Sequence, residues 1–404
     1  MVIKSTLDRS AIVCSQGFGK ILHNMPDPSS QNTHSSSQVQ PQPHLTTANF
    51  APSCLTTTLG SLPHTDVSRG SSLMFTSTPE IPSWVQFPKR DFHENMMMQF
   101  TEGLPGLVQA DDRVTFDTSA PNFVDPRPAF DSHYLAVTEE GNSAALDSFS
   151  LSRGYAPGFY EFVARLPEQP VIPVMLKGQV TGPFTLGTNL LDQDRRCAYY
   201  DEQLRDVVVK SVAMKALWQL ECLAPWGAER ILFVDEPILA AFGSSAYINL
   251  TREQAVDILE ENFSAVKSKG ALVGRHCCGN TDWSLMVDAG VDIINFDAYV
   301  YMDSIGLYAE SLAEFLDRGG YLAWGIVPSQ SLDVRPGPEE LLEMLRKGID
   351  GLSEKGVSRE KLLTNLLITT SCGLGTLTEE EAEAALRELQ VLRGLVRENL
   401  AAQV

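Results

Sequence analysis

From Thr56 onward, short runs of apolar residues alternate with longer stretches in which apolar positions recur every three or four residues. The short runs read as strands buried on both faces and the longer stretches as amphipathic helices. This pattern predicts strands over 57–60, 171–176, 230–234, 271–275, 292–296, 321–326 and 366–370. Helices are predicted over 199–222, 252–269, 304–318, 338–355 and 379–399. The last of these has Thr378 as N-cap and acids in its first turn, which suits the helix dipole. Repeated β-then-α units imply an α/β fold with a parallel sheet covered by helices. Seven strands are legible and an eighth is expected between residues 111 and 165, which would close a TIM (β/α)8 barrel over residues 55–404. The alternative is an open doubly wound sheet. Ser61, Lys177, Asp235, His276, Asp297 and Cys372 all follow predicted strands. A barrel would bring all of them to one mouth, whereas an open sheet would spread them along an edge; the barrel is the expectation.

Residues 1–54 break this pattern. The stretch 26–47 is rich in Ser, Gln, Pro, Asn and Thr, so a disordered low-complexity segment is expected there. It lacks the charged and apolar regions of a signal peptide, a start near Leu55 is an alternative reading, and His23, His34 and His44 are scattered. The net charge of −20 argues against nucleic acid or an anionic membrane surface as partner. No apolar run is long enough to predict a transmembrane helix. The seven cysteines are neither dense nor regularly spaced, which suits a reducing cytoplasm and free thiols.

The densest chemistry lies in His276-Cys277-Cys278-Gly279-Asn280-Thr281, together with the distant Cys372. Successive strand residues point to opposite faces, so an extended backbone would put His276 and Cys278 on one side and turn Cys277 away. One His and two Cys make a three-ligand zinc set with a position left open, the arrangement of reactive zinc sites. The plainer reading is two small buried cysteines beside a core histidine.

Asp235 ends a strand in Asp235-Glu236-Pro237 and is either the acceptor for a substrate amine or a loop-capping acid. Gly60 and Ser61 either present backbone N–H groups to a carboxylate or form a plain turn. Asp297 is either a displaceable fourth zinc ligand or the acceptor that orients His276. The stretch Val180–Thr185 reads as a loop. No dinucleotide or P-loop phosphate motif occurs, and Ser61 lacks the flanks of a nucleophile elbow.

In order along the chain, Thr57-Thr58-Leu59-Gly60-Ser61-Leu62-Pro63, Thr181-Gly182-Pro183-Phe184-Thr185, Asp235-Glu236-Pro237 and Cys372-Gly373-Leu374 resemble the catalytic barrel of cobalamin-independent methionine synthase. The wider group also holds uroporphyrinogen decarboxylase and the methylcobamide:thiol methyltransferases, and the motif at 276–281 is more similar to the latter. The resemblance implies zinc on His276, Cys278 and Cys372, with Ser61 and Asp235 holding the carboxylate and amine of homocysteine and Glu94 adding a second acid. It makes Asp235 and Asp297 the candidate catalytic residues, with Asp297 standing where the family has a glutamate ligand. The family's second, N-terminal barrel is absent, and so is its folate-stacking Trp, since 186–189 reads Leu-Gly-Thr-Asn. The expected donor is therefore a methylated corrinoid (methylcobalamin) on a partner protein, with methyl-folate the weaker expectation. The alternatives are a uroporphyrinogen decarboxylase-type lyase and a coenzyme M methyltransferase.

Overall fold

The computed structural model describes residues 54–110, 113–243 and 251–400. The expectation of disorder over 1–54 falls, except for Cys54, outside these residues.

Among the described residues, ten strands form two sheets. The strands are β1 (Leu55–Thr56), β2 (Leu107–Ala110), β3 (Arg113–Phe116), β4 (Met175–Thr181), β5 (Leu191–Asp192), β6 (Glu229–Asp235), β7 (Leu272–Cys277), β8 (Ile293–Phe296), β9 (Tyr321–Val327) and β10 (Leu366–Thr370). The main sheet has seven strands in the order β1-β10-β9-β8-β7-β6-β4, every neighbouring pair parallel. Five of these strands, β6 to β10, coincide closely with the apolar runs; β4 overlaps the expected 171–176 only at Met175 and Leu176, and β1 ends at Thr56, just before the expected 57–60. Strands β4, β8, β9 and β10 are buried at every position, as helices on the sheet's outer face require.

The closed eight-stranded barrel does not form: the sheet is open, and its edges β1 and β4 are not paired with each other. The stretch expected to supply the eighth strand instead holds β3, which joins β2 and β5 in a separate three-stranded sheet, followed by helices Arg127–Thr138 and Pro157–Arg165. Strand β2 is mostly exposed, and β3 is buried only at Phe116. Neither has the two-sided burial that a parallel core strand needs.

Between the open edges run residues 80–86, which touch both sides through isolated bridges, Ser83 to Lys177 and Ser61 to Gln86. The Met175 and Lys177 amides donate to the carbonyls of Glu80 and Pro82, each at 3.0 Å. Pro79 and Pro82 lack an N–H, so this stretch cannot build a continuous ladder. Gln179 Nε2 donates to the Trp84 carbonyl at 3.0 Å, and Trp84 Nε1 to Gln219 Oε1 at 2.8 Å, so side chains hold the seam where a strand is missing.

The sheet is strongly rolled. Strands β8 and β10 are separated by β9, roughly 9–10 Å on a flat sheet, yet the Asn295 and Thr369 side chains lie 2.7 Å apart. Ala323 and Gly325 of β9 make this possible. A Cβ on Gly325 would lie 2.6 Å from the Phe296 carbonyl oxygen.

Candidate metal and substrate site

Rolling gathers the C-terminal ends of the strands around a cavity of about 270 Å³. Ser61, Glu94, Asp235, His276, Cys278 and Cys372 all line it. Two candidates from the sequence do not. Lys177 lies fully buried within β4, and Asp297 caps helix Ala298–Ile305, accepting from the Val300 amide at 2.9 Å.

The ligand atoms of His276, Cys278 and Cys372 lie within 4.8 Å of one another. This is the one such His/Cys/Asp/Glu group among the described residues. Strand alternation produces it: His276 faces inward on β7, and Cys277 is fully buried on the opposite face. The turn after β10 delivers Cys372, secured by the Thr370 hydroxyl donating to the Cys372 carbonyl at 2.8 Å. Its two neighbours, Cys372 first and then His276, hold the Cys278 thiol down at about 4. Cys372 moves the opposite way, well above the ordinary thiol range, because its S–H serves the Cys278 sulfur and because it is buried. Burial disfavours a charged His276 ring, but the neighbouring Cys278 and Asp235 outweigh it and raise its pKa.

His276 Nδ1 lies 2.6 Å from Asn295 Oδ1, while the buried Nε2 makes no hydrogen bond of acceptable geometry. The acceptor on the ring is therefore Asn295 rather than Asp297. Burial pushes Asp297 up to about 6 against the opposing Val300 bond.

Two acids face the cavity from other directions. Asp235 ends β6, is 8% exposed, and has one oxygen without a partner. Burial raises its pKa, opposed chiefly by Lys177. Burial pushes Lys177 itself down to about 8; its Nζ donates to Gln179 Oε1 at 3.1 Å and sits 4.5 Å over the Phe233 ring. Glu94 ends the short 3₁₀ turn Phe92–Glu94. One of its oxygens accepts from Arg90 Nε at 2.5 Å and the other is buried and unpartnered. Burial pushes Glu94 up to about 7, with Arg90 pulling the other way.

Ser61 closes the wall. Gly60 before it has φ +97°, a backbone that favours glycine. The Leu374 amide donates to the Ser61 carbonyl at 3.0 Å and the Gly375 amide to its hydroxyl at 3.3 Å. A Cβ on Gly373 would meet the Ser61 hydroxyl at 2.2 Å.

Two features escaped the sequence reading. Asn295 appeared there only as part of an apolar strand, although a lone amide in such a run signals a buried hydrogen-bond node. Glu236 was read only as part of a motif; its carboxylate accepts from the Phe184 and Thr185 amides at 2.9 and 2.6 Å. It thereby caps helix Pro183–Asn189, whose first turn, up to Thr185, the sequence reading took for part of a loop.

No family model matches this chain, and no curated protein matches it. Among solved structures, the apo form of 3-keto-D-glucoside 4-epimerase YcjR from E. coli is similar to it at 15% sequence identity. The match covers 59% of this chain and 85% of that one at a TM-score of 0.34, a likeness that carries no argument about fold or activity. No helix of the described residues is long and apolar enough to cross a membrane.

Proposed function

We propose that this chain is a zinc-dependent thiol S-methyltransferase acting on homocysteine, with a methylated corrinoid on a partner protein as donor. The carrying observation is the meeting of His276, Cys278 and Cys372 on a cavity whose other walls present Asp235, Glu94 and Ser61. A buried imidazole nitrogen without a partner beside two sulfurs fits zinc by donor chemistry. When bound, zinc would keep a substrate thiol as thiolate at neutral pH, where a free thiol of pKa about 8.5 is mostly protonated.

The chain's own residues do the rest. Asp235 and Glu94 each offer an unpartnered buried oxygen to an ammonium group. Ser61 and its turn face a carboxylate, and the walls hold the thiol in line with the incoming methyl group. A new S–CH3 bond forms as the donor–CH3 bond breaks, and the electron pair leaves with the donor.

No Lys or Arg lines the cavity among the described residues. That disfavours the sulfonate of coenzyme M and the many carboxylates of a uroporphyrinogen. No Phe, Tyr or Trp lines it either among the described residues, which disfavours a stacked folate. A corrinoid is larger than the cavity, so its methyl group would be presented from outside by the carrier. The test is zinc quantification in the purified protein, followed by methyl transfer to homocysteine from methylcobalamin and from methyl-folate. Full activity in protein stripped of zinc would overturn the proposal.

A further inference from the structure

We infer that Asn295 is the positioning residue of this site. It dictates which nitrogen of His276 faces the two sulfurs, and it joins the strand that carries His276 to the strand that leads to Cys372. The reading of residues 276, 278 and 372 as a metal site enters only the second arm of the test below.

Hydrogen-bond bookkeeping alone fixes the orientation of the Asn295 amide. One end of that amide lies 3.0 Å from the Ala323 carbonyl oxygen. A carbonyl has no proton to give, so the end facing it is the NH2 group. The same NH2 reaches Thr369 Oγ1 at 2.7 Å, and that hydroxyl donates its own proton to the Thr370 carbonyl at 2.9 Å. Thr369 is therefore an acceptor toward Asn295, and both amide protons are used. The other end of the amide is the oxygen, and it lies 2.6 Å from His276 Nδ1. An amide oxygen cannot donate, so the proton of this bond belongs to the imidazole. His276 carries it on Nδ1, and in the neutral ring the lone pair is left on Nε2, the nitrogen without a hydrogen-bond partner.

The same amide is a mechanical link. Through its oxygen it holds β7, through Ala323 it holds β9, and through Thr369 it holds β10. Two residues past Thr370, the Cys372 carbonyl is tied back by the Thr370 hydroxyl at 2.8 Å. Asn295 is fully buried, so water does not compete for these bonds. Interactions of this kind, one bond behind a ligating imidazole, typically change metal affinity by about 10–100-fold.

The test uses the full-length protein labelled with 15N-histidine, with two variants. Asn295→Leu removes both the acceptor and the donors. Asn295→Asp keeps an acceptor for His276 and loses the donors to Ala323 and Thr369. In metal-free protein, wild type and Asn295→Asp are expected to show an exchange-protected proton on His276 Nδ1, and Asn295→Leu to lose it. An unprotonated Nδ1 in wild type, or a protected one in Asn295→Leu, overturns the inference. This arm decides the question in wild type and Asn295→Asp even if Asn295→Leu does not fold. The second arm is zinc affinity by chelator competition, where Asn295→Leu is expected to bind about 10–100-fold more weakly. An unchanged affinity also overturns the inference. If wild type binds no zinc, the metal reading of the site fails by itself, and the proton on Nδ1 still decides the role of Asn295.

Discussion

Replacing Asp235 gives a sharp test, because its carboxylate is held in an arrangement that costs the fold something. The group is almost wholly buried and one oxygen has no partner. The sign of its contribution to stability follows from its raised pKa. A carboxyl raised in this way contributes stability that is full below its unfolded pKa and is lost as pH rises through the folded value. At neutral pH, ionised Asp235 therefore works against the substrate-free fold, and an amine in the cavity would supply its missing partner. A hydrogen bond to a charged group contributes about 1.5–3 kcal/mol, against about 0.5–1.5 kcal/mol for a neutral one. Asp235→Asn keeps the shape and loses the charge, a difference of about 1–1.5 kcal/mol, or roughly a tenfold rise in KM for homocysteine. Asp235→Ala loses the whole interaction, about 1.5–3 kcal/mol, or roughly a 10–150-fold rise. The assay is steady-state methyl transfer with two acceptors, homocysteine and 4-mercaptobutyrate, which is the same thiol without the amine. Both variants should raise KM for homocysteine alone. Equal effects on the two thiols, or no effect on homocysteine, would refute the amine-binding role.

Three further outcomes follow from the geometry. Cys278→Ser or Cys372→Ser should purify with almost no zinc, whereas Cys277→Ser, altered on the opposite strand face, should retain it; metal analysis of the three distinguishes them. Glu94, raised from 4.5 to about 7, contributes stability that is full below about pH 4.5 and is lost as pH rises through 7. Glu94→Gln should flatten urea-unfolding stability across that window; Asp297, raised to about 6, leaves a residual slope of the same sign. In Gly158→Ala, the new Cβ would lie 1.8 Å from the Val85 carbonyl oxygen. Overpacking against backbone there should cost about 1–3 kcal/mol in urea unfolding, and a variant as stable as wild type would show that the Val85 backbone yields freely.

The main sheet was legible because its strands are short, almost wholly apolar and separated by periodic helices; 230–234 and 366–370 lie within β6 and match β10. The closed barrel was not borne out, because it assumed that residues 111–165 would hold a strand buried on both faces. The residues that fill the seam, around Trp84, lie beside Pro79 and Pro82 and show no strand period. Within the site, the His276/Cys278 pairing could be read locally, since Cys278 is the first residue beyond β7. The distance from that pair to Cys372 depends on how tightly the sheet rolls, and that is set by the small residues Ala323 and Gly325. Asn295 was missed for a related reason: its partners lie on three other strands, and no local pattern encodes them.

The seam also bears on how the molecule comes apart. Amides between residues 80 and 86 are held by scattered bridges, while those of β7, β8 and β9 sit within continuous parallel ladders. Local opening draws on the least-bonded segments first, so hydrogen exchange should report Ser83–Gln86 well before the interior strands. Pro88, Glu94 and Met96 stand just beyond that segment, whereas His276 and Asn295 stand on the ladders. Mild heat or denaturant would therefore loosen the Glu94 wall of the cavity while leaving the imidazole and its amide anchor in register, so that the shape of the cavity is lost at a lower dose than the fold itself.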